Sequence, residues 1–127
     1  MRGGEPMAFG VSEAFPLAMF IHANLPEEVM LHHIHGQVTV MLVDSVVNSG
    51  KTVAQFVQRI RKLHATIRIV VVSGVAQAES VFGGSLSHAL AGCTNISLIA
   101  LRLSDNKFTG RGFTDTGNRL FNTTHLA

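Results

Sequence analysis

The chain has 127 residues, 46% of them hydrophobic and 14% charged, with a mean hydropathy of +0.32. That length suits one domain with a substantial core, and the composition is too apolar and too weakly charged for a disordered chain. Ten Lys and Arg against eight Asp and Glu leave a net charge of +2, a small footprint for a surface that grips a nucleic-acid backbone, although the pI is 9.2.

No apolar run reaches the roughly 18 residues of a membrane helix, and the longest, Val38 to Val43, is strand-sized. Met1-Arg2-Gly3-Gly4-Glu5 is not followed by an unbroken apolar stretch, so no secretory leader is expected. A single cysteine, Cys93, excludes an internal disulfide framework and zinc sites built on paired cysteines. It fits a reducing compartment, and a cytoplasmic protein is expected.

In chain order, Glu5 to Ala14 reads as a helix and Leu17 to Ile21 as a strand. Val38 to Val43 is β-branched and apolar without alternation, the pattern of a strand buried on both faces. After the turn-rich Asp44 to Gly50, the residues Val53, Phe56, Val57, Ile60 and Leu63 recur at helical spacing. A second buried strand is predicted at Ile67 to Val72, then a helix from Ala76 to about Leu90. Gly83-Gly84 should weaken or kink that helix, each glycine costing ~1 kcal/mol relative to alanine. Ile96 to Leu103 reads as a further strand. The tail from Asp105 is polar, yet Phe108, Phe113, Leu120 and Phe121 predict that it folds back onto the domain. Alternating strands and helices predict a single α/β domain over residues 1–127, with a parallel sheet of about four strands flanked by helices.

In such sheets ligands bind beyond the carboxyl ends of the strands, which directs attention to the segment from Asp44 to Thr52. A loop leaving a buried strand and opening a helix offers free N–H groups and the positive end of the helix dipole, a ready phosphate site. Ser49 and Thr52 add hydroxyls, Lys51 a charge, and Asp44 an acceptor for ligand hydroxyls or a hydrated magnesium ion. Ser49-Gly50-Lys51-Thr52 mimics the end of a nucleotide triphosphatase P-loop, but that motif needs a glycine where Ser45 stands. A phosphate cradle of another kind and a plain strand-to-helix turn both stay open on these residues alone.

Three stretches together carry a resemblance. Asp44-Ser45-Val46-Val47-Asn48-Ser49-Gly50-Lys51-Thr52 resembles the ribose-phosphate loop D-P-M-L-A-T-G-G-S of uracil phosphoribosyltransferases. Thr114-Asp115-Thr116-Gly117-Asn118-Arg119-Leu120-Phe121-Asn122-Thr123 is similar to the family's G-D-A-G-D-R-L-F-G-T, and Met1-Arg2-Gly3-Gly4 to its L-R-A-G turn. The resemblance implies a phosphoribosyltransferase-like fold and the transfer of phosphoribosyl from phosphoribosyl pyrophosphate (PRPP) to uracil, giving UMP and pyrophosphate with Mg²⁺. It implies that Asp44 binds the ribose hydroxyls. The loop from Ser45, Val46 and Val47 through Asn48, Ser49, Gly50, Lys51 and Thr52 would hold the 5-phosphate, and Arg2 the pyrophosphate. Thr109, Thr114 and Thr116 would read uracil, with Asp115 beside them, and Asp115 would also hold the magnesium-bound pyrophosphate through water. Asp44, Asp115 and Arg2 would be the catalytic set. Family members form homodimers, so a homodimer or higher oligomer is implied, with no nucleic-acid or membrane partner.

The chain also departs from the pattern. It starts at the L-R-A-G turn, so the expected fold is the family's C-terminal portion, truncated at the N-terminus. No counterpart of the family's R-D-E-E-T loop stands between Ile21 and Glu28, where the chain runs His22-Ala23-Asn24-Leu25-Pro26-Glu27. Lys51 and Thr114 replace glycines, Arg111 a proline and Phe108 a tyrosine. These differences support an alternative, a non-catalytic relative that binds PRPP or a nucleotide as a sensor or pairs with a complete paralogue.

Other residues read as structural. His32, His33 and His35 form a cluster in which His33 and His35 would share one face of an extended segment; a polar loop or strand edge is expected rather than a metal site. Arg59, Arg61 and Lys62 read as the solvated C-terminal turn of a helix, with Arg68 nearby. Cys93 has no basic neighbour in sequence to activate it. Gly83-Gly84-Ser85-Leu86-Ser87 lacks the spacing of a hydrolase nucleophile elbow.

Overall fold

The structure, a computed structural model, describes residues 4–105. Helix α1 (Glu5–Ala14) and a 3₁₀ turn (Pro26–Glu28) precede a one-turn helix α2 (Leu31–Ile34). Strand β1 (Thr39–Val47), helix α3 (Lys51–Leu63) and strand β2 (Arg68–Gln77) follow. Helices α4 (Ala78–Phe82) and α5 (Ser85–Ala91) then lead to β3 (Ile96–Ser104). The described strands form one parallel three-stranded sheet in the order β1-β2-β3. Its register sets Leu42 opposite Val71 and Val71 opposite Leu98.

Sequence periodicity explains the packing. On α3, Val53, Phe56, Val57 and Ile60 form one buried face, while Lys51, Gln55 and Gln58 stay exposed. That face joins Leu42, Ile69 and Val71 in one core cluster, together with Leu86 of α5. Burying side chains of this size stabilises the domain by roughly 1.5–3 kcal/mol each. The basic residues at the end of α3 hold the frame. The Arg61 guanidinium donates to the Ile67 carbonyl at 2.6 Å and the Thr94 carbonyl at 2.7 Å, and Arg59 Nε donates to the Val29 carbonyl at 3.0 Å. His64 Nδ1 accepts the N–H of Ile67 at 2.9 Å, turning the chain into β2.

The α/β class and the parallel sheet are as expected, with differences in detail. The sheet has three described strands where about four were predicted, because Leu17–Ile21 is irregular. Pro16 lies within a turn closed by the Ala18 N–H on the Phe15 carbonyl, and no described strand pairs with the residues that follow. Instead Met19, Phe20 and Ile21 line an open, mainly apolar groove of about 670 Å³ beside β1. Both β1 and β2 run past their predicted ends, since Val46 and Val47 still pair with Val75 and Ala76. The predicted helix over 76–90 is split, as its two glycines foretold, into α4 and α5. His32 and His33 lie in α2 and His35 caps its end, so His33 and His35 do not share a face of an extended segment. His33 Nδ1 accepts the Met30 N–H at 2.9 Å and its ring lies 4.0 Å from that of His32. Among the described residues no group of three or more side chains could hold a metal ion, and no helix is long and apolar enough to cross a membrane.

Candidate functional site

Only three residues, Asn48, Ser49 and Gly50, join β1 to α3. So tight a reversal needs a left-handed residue, and Gly50 supplies it with φ +77°. Gly50 is buried, and a Cβ there would collide with the side chain of Leu86. Ser49 Oγ accepts the Lys51 N–H at 3.3 Å, and the Gly50 carbonyl accepts the Ala54 N–H at 2.9 Å, which starts the helix. The N–H groups of Thr52 and Val53 belong to the first turn and have no acceptor within the helix.

These groups surround a cleft of about 180 Å³ at the carboxyl end of β1. Its walls are Asp44, Val46 and Val47 from the strand, the Asn48–Gly50 loop, and Lys51, Thr52 and Val53 from the helix. The helix dipole, the first-turn amides and the exposed Lys51 make one side positive; Asp44 supplies a carboxylate on the other. A phosphorylated sugar has the matching polarity, with an anionic end for the amides and hydroxyls for the carboxylate. The groove beside β1 is larger and mainly apolar.

Asp44 lies within β1 rather than after it, opposite Ser73 of β2. Burial pushes its pKa above the ordinary aspartate value, while the neighbouring backbone N–H groups of Ser45 and Val46 pull it part of the way back. Between the ordinary and the raised value the folded chain binds more protons than the unfolded one, so the ionised carboxylate lowers stability as pH rises through that window. Asp44→Asn removes this component. The thermal midpoint of the variant relative to the parent should therefore rise with pH across the window, and a difference that stays constant with pH would refute the assignment.

A sequence model of the family described as uracil phosphoribosyltransferase matches residues 1–123. The chain belongs to the uracil phosphoribosyltransferase family. Comparison with curated proteins gives no match.

Of the residues that the family resemblance singled out, Asp44, Val46, Val47, Asn48, Ser49, Gly50, Lys51 and Thr52 line the one cleft. Ser45 does not line it; its carbonyl lies against Gly74 of β2 instead. Arg2, Thr109, Thr114, Asp115 and Thr116 lie outside the described residues. Sequence reading missed Val53, which lines the cleft, and Leu86, which seats Gly50. The helical spacing of Val53 places its side chain in the core and says nothing of its backbone N–H. For Leu86 no local signal existed, since α3, β2 and α4 lie between it and Gly50 in the chain.

Proposed function

We propose that this chain binds PRPP in the cleft between β1 and α3 and transfers its phosphoribosyl group to uracil, giving UMP and pyrophosphate. The observation that carries the reading is the convergence of Asp44, the Asn48–Gly50 loop and the first turn of α3 on one polar cleft in a member of this family. The first-turn amides, the hydroxyls of Ser49 and Thr52 and the Lys51 ammonium take the 5-phosphate. Asp44 accepts hydrogen bonds from the ribose hydroxyls and so fixes the sugar. Arg2 and Asp115 attend the pyrophosphate; Thr109, Thr114 and Thr116 read the base.

In the reaction the bond from the anomeric carbon to pyrophosphate breaks and a bond to a uracil ring nitrogen forms, with the N–H proton passing to solvent. Positive charge grows on the ribose, so the chain contributes by positioning both reactants and by placing the Asp44 carboxylate near the sugar. Mg²⁺ entering with PRPP would neutralise the leaving group. Asp44 is the only carboxylate lining the cleft among the described residues, which suits a cation that takes most of its ligands from phosphate and water. Exposed Ile99, Leu101 and Leu103 on β3 favour self-association, and a cytoplasmic homodimer is the proposed working form.

One observation favours a second reading, binding without turnover. The segment between Ile21 and Val29 carries Glu27 and Glu28 and no arginine, and the Glu28 carboxylate is occupied in accepting the N–H groups of Asn24 and Leu25. Incubation with PRPP, Mg²⁺ and radiolabelled uracil separates the two. Labelled UMP is expected; a thermal shift with PRPP but no UMP would establish the binding reading. Neither UMP nor a shift would overturn both.

A further inference from the structure

The β1–β2 pair is not regular along its length. Its register runs without a gap from Thr39 opposite Arg68 to Asp44 opposite Ser73, skips Ser45 and Gly74, and resumes at Val46 opposite Val75. The pairing of β2 with β3 skips Gly74 as well. Membership of the core cluster changes parity at the same place. On β1 it passes from Leu42 to Val47, and on β2 from Ile69 and Val71 to Ala76, while the buried Val70 between them is not part of it. Leu42, Val47, Ile69, Val71 and Ala76 share one core cluster. An uninterrupted strand alternates faces at every residue, so odd steps of this kind mean that both strands kink together.

Gly74 is what permits the kink. A Cβ on it would lie 2.9 Å from the Ser45 carbonyl oxygen, closer than such atoms approach, and 3.6 Å from Met7 Sδ of α1. On β2 the kink is tied by Ser73, 1% exposed, whose Oγ donates to the Val75 carbonyl at 2.8 Å. Glycine inside a strand commonly marks such a close backbone approach. The residues immediately before and after Ser45 are Asp44 and Val46, and both line the cleft.

We propose that Gly74 is a positioning residue for the PRPP cleft: with no side chain there, the Ser45 carbonyl seats against β2, and the resulting paired kink aims Asp44 and Val46 at the ligand. This rests on the function proposed above. A side chain at 74 pushes the Ser45 carbonyl off β2, turning Asp44 away from the ribose while leaving the distant end of the sheet in place.

Gly74→Ala tests the inference, with Gly10→Ala as control because a Cβ on Gly10 meets nothing within 4 Å. Amide hydrogen exchange is measured without ligand, and PRPP binding by calorimetry. In Gly74→Ala the Ser45 and Val46 amides should exchange at least about tenfold faster, while Val40 and Ile69 at the far end stay within about twofold. PRPP should bind about tenfold or more weakly, and Gly10→Ala should change neither. Should Gly74→Ala fail to fold, Ser73→Ala, which removes only the hydroxyl tie, should show the same pattern more weakly. A parallel loss of protection across the whole sheet would mean a merely structural glycine, and unchanged exchange at Ser45 and Val46 would overturn the inference outright. A parent chain that binds no PRPP would sink the proposed function, while the exchange pattern would still decide the role of Gly74.

Discussion

Replacing Asp44 by alanine is expected to erase the stabilisation that PRPP confers. A ligand at 100 times its dissociation constant stabilises a domain by about 2.7 kcal/mol, a shift of several degrees at this size. The chain has no Trp or Tyr, so calorimetry or far-UV circular dichroism is the probe. Hydrogen bonds to a charged group contribute about 1.5–3 kcal/mol each, and two ribose hydroxyls on one carboxylate put the loss near 100-fold or more in affinity. Folding does not confound the result. Burial makes the ionised carboxylate a cost to the ligand-free domain, so its removal should leave the midpoint without PRPP within a few degrees of the parent or above it. A variant that keeps the full PRPP shift would remove Asp44 from the site.

Gly50→Ala should be among the most destabilising single-methyl additions in the domain. Left-handed backbone costs a residue with a Cβ roughly 1–2 kcal/mol, and overpacking a filled core roughly 1–3 kcal/mol more. Both apply, because Gly50 has φ +77° and its missing methyl would overlap the fully buried Leu86. Together they take about 2–5 kcal/mol from a total that is typically about 5–15 kcal/mol. The expected result is a midpoint lowered by roughly 10 °C or more and a weakened PRPP site, since the turn opens both. A midpoint within about 2 °C of the parent would show that α5 moves away freely and that the turn does not depend on glycine.

Much of this was legible in the chain. The helical spacing of Val53, Phe56, Val57 and Ile60 gave α3 its buried face, and three apolar-rich tracts marked the three parallel strands. The order of strand, polar loop and helix located the cleft, and motif resemblance named the family that the comparison then showed. Strand ends were less legible. Asp44 and Ser45 read as loop because polar residues punctuate strands, yet their backbones continue β1 beside Ser73 and toward Val75, and cross-strand pairing outweighs local propensity. Leu17–Ile21 failed in the opposite direction. Its apolar pattern is strand-like, but a strand exists only where another edge takes its hydrogen bonds.

What the sequence determined by itself is therefore local and periodic: the buried face of α3, the order of strands and helices, where the turn from β1 into α3 falls, and which family the chain belongs to. Tertiary structure alone decided the close approach of the Ser45 carbonyl to Gly74, the seating of Gly50 on Leu86 and the burial that raises the pKa of Asp44. Each of these depends on how closely two segments distant in sequence approach. Periodicity and propensity describe one segment at a time, and distance between segments is a property only the packed core possesses.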